Sequence, residues 1–416
     1  MPRLKVLSSH TKKKHRAEAS QSHTGNNQIR IRSAVSRIND LAKTWKARLG
    51  LWSPADSSGK IRCASDCSGY GSDLIALRLF GLQKRVDSVM TCESCGKKMM
   101  LHDAVAAACG IGTRKVSHYA DICGRDNAAA PRADLYTAGY PCPSYSTLGK
   151  KRGVLDDRGF VSLQGLMYIA EKRPRAIILE QVAAILQKKH SKIFQFMQKI
   201  LRELDYRFEI RVLNTKQFTI PHSRSRMYLI AVARESLVHE LSFPPARSEH
   251  ADLHFFLEKD KVGTEVLSLP FYEEKLGNRL FQKGYILDVG SSQRFQSVMP
   301  NLSPCLTKSR LKAAGYYIPK LRRRLTLAEA AQLQGVPPQI LQAMEEAAKL
   351  HRLPKRSVDE SLGDAMSVNV LMSVLRRALD ACGLTKLGSG KDFWLQVPLG
   401  EASVNLSKKL FDKYKR

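Results

Sequence analysis

The stretch Asp134-Leu135-Tyr136-Thr137-Ala138-Gly139-Tyr140-Pro141-Cys142-Pro143 decides how this chain folds. From Asp134 to Ala138 it is a short, nearly apolar run, the pattern of a strand covered on both faces, and Gly139 ends it. Pro143 lacks a backbone donor and Pro141 has a fixed φ, so Cys142 between them cannot lie inside a helix. The thiol opens a loop at the end of a strand, where a nucleophile can meet a substrate. Taken alone, such a cysteine is more often a small buried apolar residue. The neighbouring segments decide between the two readings.

Strands and helices alternate on both sides of this run. Arg62 to Ser65 reads as a first strand, broken by Gly69-Tyr70-Gly71 and followed by a helix from Asp73 to Leu82. A second strand, Arg85 to Thr91, ends at Glu93, and a third segment ends near Asp121-Ile122. Ala176 to Leu179 is another short apolar run, and Val212 to Val232 holds two more strands. Helical stretches at Gly159–Glu171 and Ser191–Leu204 separate them. This alternation predicts an α/β domain with a doubly wound, mostly parallel sheet.

In such a sheet, ligands bind beyond the carboxyl ends of the strands. That edge would gather Gly69, Gly71, Glu93, Asp121, Cys142 and Glu180. The glycine turn leads into a helix N-terminus, where backbone amides face a ligand. An acid ending the second strand suits ribose hydroxyls. A carboxylate raises the pKa of a neighbouring thiol, so Glu180 reads as a group that binds a substrate's donors or supplies a proton, as a pyrimidine edge requires. His222-Ser223-Arg224-Ser225-Arg226 precedes a strand at Met227–Val232. Arginines at i and i+2 share a strand face, where they can clamp a phosphate or carbonyl, or lower a thiol pKa.

The 416 residues suffice for two or three domains, and the net charge of +30 with a pI near 9.9 points to a polyanionic partner, most simply nucleic acid. Residues 1–48 carry twelve Lys/Arg against two acids. The first thirty lack an apolar period and are expected to be disordered. Lys12 to Arg16 resembles a nuclear-localisation or phosphate-binding cluster, the one ground for expecting the nucleus. Ile31, Ala34, Val35, Ile38, Leu41, Ala42 and Trp45 recur at helical spacing and predict an amphipathic helix from Ile31 to Trp52. No apolar run approaches 18 residues and no signal peptide is evident, so no membrane association is expected. Nine cysteines without regular pairing suit a reducing compartment. Cys92-x-x-Cys95 has no second pair at finger spacing, so free thiols and no metal are expected. The catalytic domain is expected over 49–232 and a small irregular domain over 233–345. Residues 346–385 would return to the catalytic domain before a basic tail at 386–416. Helices are expected at Thr326–Gln334, at 339–351 and from Ser361 to Cys382.

Read in order, these segments resemble the cytosine-5 DNA methyltransferase family over residues 60–385. The carrying residues are Ala133 to Ser146, Gly149 to Gly159, Ala176-Ile177-Ile178-Leu179-Glu180-Gln181-Val182, Ile220 to Arg226, Arg323 to Thr326 with Leu333 to Pro337, and Leu362 to Val370. The resemblance implies a Rossmann-like methyltransferase fold, with S-adenosylmethionine as cofactor and a small target-recognition domain. Cys142 is similar to the family nucleophile that adds to C6 of a flipped cytosine, and Glu180 to the acid that binds N3 and the exocyclic amine. Arg224 and Arg226 resemble the arginines that hold base and loop. Ser68, Gly69 and Gly71 would form the methionine-binding turn, Glu93 the ribose ligand, and Asp121 with Ile122 the adenine contacts. Pro141, Asp364 and Ala365 would complete the cofactor site, and the loop from Ser144 to Arg158 would close over the base.

Several positions depart from the family pattern. Cys67 stands where an aromatic usually stacks on adenine, Ser72 replaces a glycine, and the usual acid is shifted to Ser65-Asp66. Gln181, His222 and Asp364 replace asparagine, glutamine and asparagine. These bear on cofactor affinity more than on chemistry. The short region 234–302 implies a short or relaxed target sequence, with Gln293, Arg294, Gln296, Lys308 and Arg310 as candidate base readers. The expected partner is duplex DNA, met by a monomer. Transfer RNA as substrate, or a catalytically silent nucleic-acid-binding regulator, are the alternatives.

Overall fold

A computed structural model describes residues 28–47, 59–112, 116–141, 157–187, 191–282, 284–292, 296, 298–386 and 392–414. The helix expected from Ile31 is present as α1 (28–44). Seven strands follow: β1 (Ile61–Asp66), β2 (Val86–Cys92), β3 (Ser117–Tyr119), β4 (Leu135–Gly139), β5 (Ala176–Val182), β6 (Tyr206–Asn214) and β7 (Ser225–Ala233). They form one sheet in the order β3-β2-β1-β4-β5-β7-β6, parallel except for β7. Helices α2 (Ser72–Leu79), α3 (Gly96–Cys109), α4 (Asp157–Lys172) and α5 (Ser191–Glu203) connect the strands. The expected doubly wound, Rossmann-like sheet is therefore present.

Alternate residues of the central strands enter two different cores, as a two-residue period under cover on both faces requires. On β7, Tyr228, Ile230 and Val232 face the core of α2 and α3, while Met227, Leu229 and Ala231 face that of α4 and α5. The second core is closed by α1, through Ala34, Ile38, Ala42 and Trp45. The Trp45 Nε1 donates to the Glu203 carbonyl at 2.7 Å, and the Arg173 guanidinium lies 3.7 Å from its ring centroid.

Three expectations shift. The strand expected within Val212–Val232 begins earlier, at Tyr206. On this edge strand Arg207 and Arg211 are exposed, which masks the apolar alternation. The third strand stops at Tyr119, two residues before Asp121. The helix expected from Ser361 to Cys382 is two helices, interrupted at Ala365–Ser367.

The small domain has its own sheet, β8 (Leu287–Asp288), β9 (Tyr316–Ile318) and β10 (Arg323–Arg324). Its separate core includes Leu269, Tyr272, Leu280, Tyr285, Leu287 and Tyr317, with α6 (Pro270–Leu276) contributing, whereas α7 (Lys308–Lys312) buries Leu311 in the main core. Helices α8 (Leu327–Leu333) and α9 (Pro338–Leu350) pack instead with the main core, α9 against α3, as do α10 (Ser357–Asp364) and α11 (Val368–Ala381). Much of 327–345 therefore packs with the catalytic domain rather than with the small one.

The stretch 386–416, expected as a basic tail, holds three short helices: α12 (Phe393–Gln396), α13 (Glu401–Val404) and α14 (Leu406–Lys413). Trp394, Leu410 and Phe411 are buried in the main core. Buried Arg78 of α2 donates to the Phe411 carbonyl at 3.1 Å and to that of Tyr414, with its guanidinium over the Phe411 ring.

Candidate active site at the carboxyl edge of the sheet

The parallel register of β4 and β5 sets Gly139 opposite Glu180. Gly139 is three residues before Cys142, and Pro141 is the last described residue before that cysteine. Cys142, and 143–156 of the loop expected to close over the base, lie outside the described residues. A Cβ at Gly139 would stand 3.7 Å from Glu180 Oε2 and 3.6 Å from Met366 Cε. The strand end is thus held open between the acid and the segment joining α10 to α11.

Glu180 is 7% exposed. Arg226, opposite Val182 on β7, places its Nε 3.1 Å from Glu180 Oε1. Burial pushes the Glu180 carboxyl above its usual range, opposed by the charges of Arg226 and then Arg224. A carboxyl held so takes up a proton more readily than a solvated one.

The two arginines do not share a face. Arg224 precedes β7, and its guanidinium donates to the carbonyls of Leu306 (2.8 Å), Gly363 (3.3 Å) and Ala365 (2.7 Å). It ties the small-domain connection to the end of α10, whereas Arg226 faces the acid. His222 adds a second tie, its Nε2 accepting from Leu306 N and its Nδ1 meeting Leu333 O, both at 3.0 Å. An amide can only donate and a carbonyl only accept, so the ring is the neutral Nδ1–H tautomer.

The tyrosine before Pro141 is anchored from behind. The Tyr140 and Tyr136 hydroxyls are 3.3 Å apart, and Tyr136 donates to Asp66 Oδ2 at 2.6 Å. Asp66, fully buried at the end of β1, is bidentate to Arg125. The acid that stands one step out of its usual place is therefore a structural anchor. Its partner Arg125 carried no sequence signal, because the pair joins segments 59 residues apart.

On the other side of β1 lies the glycine turn. Gly69 has φ +58 with open space where a Cβ would stand, and its amide donates to Glu93 Oε2 at 3.0 Å. Glu93 Oε1 accepts from Cys95 N at 2.9 Å. Gly71 has φ +88 and caps α2, and a Cβ there would meet His102 Cδ2 at 3.2 Å. Only glycine suits that position. Ser68 is buried and holds the turn to β2 through the Cys92 backbone. Asp121 is exposed and caps Cys123 N at 2.8 Å, and Ile122 is buried. Asp364 pairs with Lys98 Nζ at 2.9 Å and Lys308 Nζ at 3.4 Å, while Ala365 is held by Arg224.

A strand-end acid beside an open, amide-rich turn fits the ribose and methionine ends of S-adenosylmethionine. Cys67, at φ +52, offers no aromatic surface to the adenine. Burial, then Asp66 and Glu93, hold its thiol well above the ordinary value. Lys98 was not anticipated from the sequence; it is an inward-facing lysine of α3, distinguishable from its neighbour Lys97 only by helical phase.

Of the candidate base readers, Gln293 and Arg294 lie outside the described residues. Lys308 is engaged by Asp364 and Arg310 by Asp288. Gln296 lines a small-domain cavity of about 350 Å³ with Phe271, Gly290 and Arg324. Among the described residues no cluster of His, Cys, Asp and Glu could hold a metal, and no helix is long and apolar enough to cross a membrane.

The family model for C-5 cytosine-specific DNA methylases matches residues 113–379. The orphan methyltransferase M.SPRI of Bacillus phage SPR is 30% identical over 181 residues, covering 43% of this chain and 39% of the phage protein. The type II methyltransferase M.HhaI of Haemophilus parahaemolyticus is 24% identical over 264 residues, covering 61% and 78%. This chain thus spans well under half of the phage relative's length. Among solved structures, Dnmt2 methyltransferase of S. pombe superposes with a TM-score of 0.53 at 18% identity, covering 77% of this chain and 98% of that one. A protein described as a DNA modification methyltransferase, encoded within an E. coli prophage, superposes with a TM-score of 0.53 at 17% identity, covering 78% and 100%. At these identities the structures speak for the fold alone.

Proposed function

Because the chain belongs to the C-5 cytosine-specific DNA methylase family, we propose that it moves a methyl group from S-adenosylmethionine to C5 of a cytosine flipped out of duplex DNA. One observation carries the reading: a buried Glu180, its pKa raised, stands in register with the strand end that leads into Pro141-Cys142, with Arg226 on its far side. That is the arrangement a pyrimidine needs in order to accept a nucleophile at C6.

The chemistry is covalent catalysis on a ring that does not otherwise alkylate at carbon. The Cys142 thiolate forms a bond to C6, and the C5=C6 electron pair moves to C5 as Glu180 shares a proton with N3. The cofactor, when bound, supplies an electrophilic methyl on sulfonium. C5, now carrying the pair, would accept that methyl, with the C–S bonding electrons remaining on sulfur. Loss of the C5 proton to water returns the pair to the double bond and expels the thiolate, and N3 gives its proton back to Glu180. Arg226 holds the Glu180 carboxyl in place, and Arg224 keeps the backbone of Leu306, Gly363 and Ala365 at the crevice mouth. Glu93 and the Gly69–Gly71 turn would hold the ribose and methionine, with Asp121 and Ile122 at the adenine. The base reaches the thiol only by leaving the stack.

The test uses 5-fluorocytosine in duplex DNA and, separately, in transfer RNA, each with labelled methyl donor. Fluorine at C5 cannot leave as a proton does, so the covalent adduct persists. An adduct with duplex DNA that Cys142→Ala abolishes is expected. An adduct with RNA alone would overturn the substrate, and none with either polymer, despite cofactor binding, would leave a silent nucleic-acid binder.

A further inference from the structure

Helix α1 has a direction that the sheet defines. Its first turns lie against the start of α4, where Arg30 stacks 4.8 Å from the Phe160 ring centroid. The chain enters α4 from the loop after β4, so Phe160 stands near the carboxyl edge of the sheet, beside the crevice. The other end of α1 lies at the opposite edge. There Trp45 packs under Arg173, which leads into β5, and bonds to Glu203, which leads into β6. The helix, roughly 25 Å long at 1.5 Å per residue, therefore runs from the crevice edge to the far edge.

Its outer surface is basic. Arg30, Arg32, Arg37 and Lys43 are exposed, as is Lys46 just past its end, and Asp40 is the one acid on the helix. Among the described residues no acidic partner neutralises Arg32, Arg37 or Lys43, and Arg30 meets the Phe160 ring rather than a carboxylate. Cations with no acidic partner among the described residues, beside the place where a base must be extruded, suit a phosphate backbone and do not suit an apolar or basic partner.

We propose that the crevice end of α1 contacts phosphates of the duplex flanking the extruded base, with Arg30 and Arg37, seven residues apart, on one flank of the helix and Arg32 on the other. This rests on the duplex-DNA reading above. The far end of α1 is a brace and touches no nucleic acid. Position along one helix thus separates contact residues from residues that merely add charge.

The helix supplies its own control. Arg30→Gln/Arg32→Gln and Lys43→Gln/Lys46→Gln each remove two charges from the full chain. Binding to a mixed-sequence, cytosine-containing duplex oligonucleotide is measured across a salt series. The first variant is expected to weaken binding and flatten the salt dependence by about two units of slope, one for each lost phosphate contact. The second variant should follow the parent chain. Equal effects from both would reduce α1 to a contributor of net charge, and no effect from the first would make it a brace alone; either overturns the proposal. Arg32→Gln alone leaves the Arg30–Phe160 stack intact and should still flatten the slope by about one unit, which guards against a folding defect. Methyl transfer to duplex DNA by the unaltered chain reports on the substrate reading separately. A slope change seen with RNA and not with duplex would assign the face to RNA and overturn the duplex partner.

Discussion

At the scale of single residues, His222 shows how a substitution can preserve a structure's wiring. It stands where glutamine is common in this family, and a glutamine amide offers the same pair of groups, one donor for Leu333 O and one acceptor for Leu306 N. The difference is that imidazole titrates. Burial and the Arg224 charge hold the His222 pKa well below its ordinary value, so the folded ring stays neutral while the unfolded ring takes up a proton below about pH 6.5. The stability this group contributes is complete above that pH and falls as pH drops toward the folded pKa, by at most about 1.4 kcal/mol per unit. His222→Gln should match the parent in urea melts at pH 7.5 and exceed it at pH 5.5. His222→Leu leaves the Leu306 amide unpaired and should cost about 1–3 kcal/mol at pH 7.5, and less at pH 5.5, where the parent has itself lost stability. For Glu180 the sign is opposite. Arg226 favours its charged form, so Arg226→Met should raise the Glu180 pKa further and move the alkaline limb of the kcat/KM profile to higher pH. Glu180→Gln should cost about 10²-fold or more in kcat with cofactor affinity, measured by calorimetry, unchanged.

Among the elements, the close approaches are the exacting features. Gly165 of α4 faces Tyr140; a Cβ there would lie 2.7 Å from Tyr140 Cζ and 2.8 Å from the Tyr136 hydroxyl. Gly165→Ala should therefore push Tyr140, and with it the Pro141-Cys142 strand end, out of place. A loss of about 1–3 kcal/mol in thermal or urea unfolding, together with a fall in kcat, checks this. Gly363 of α10 is closed off by backbone instead, with the Lys308 Cα 2.6 Å from its would-be Cβ. The elements themselves were largely legible in the sequence. The strands stand out as short apolar runs because both faces are covered, and α1 because its apolar stripe repeats with one turn of helix. The break between α10 and α11 was not legible, since Arg224, distant in sequence, holds the backbone at Gly363 and Ala365. Nor were α12 to α14, whose few apolar residues are diluted by lysines. The chemistry of the site was read from residue order, while the Asp66–Arg125–Tyr136 anchor and Lys98 depend on pairings that only the fold creates.

For the molecule as a whole, the C-terminal helices hold α2, the helix that opens at the glycine turn. Arg78 and Gln83 both donate to Tyr414 O, and a Cβ at Gly81 would collide with the Tyr414 ring. Removing residues 392–416 would leave buried Arg78 without these acceptors and uncover Trp394's site in the core. The shortened chain should melt at lower temperature and bind S-adenosylmethionine more weakly, by calorimetry, even though none of the deleted residues lies in the site. The same feature sets a condition on synthesis. Helix α2 is made early, but its packing partners α11 and α14 emerge roughly 300 residues later, a delay on the order of tens of seconds at ordinary translation rates. The turn that would hold the methyl donor is among the first parts of the sheet to leave the ribosome and among the last to be secured, so a nascent chain halted before α11 has the cofactor motif without its cofactor site.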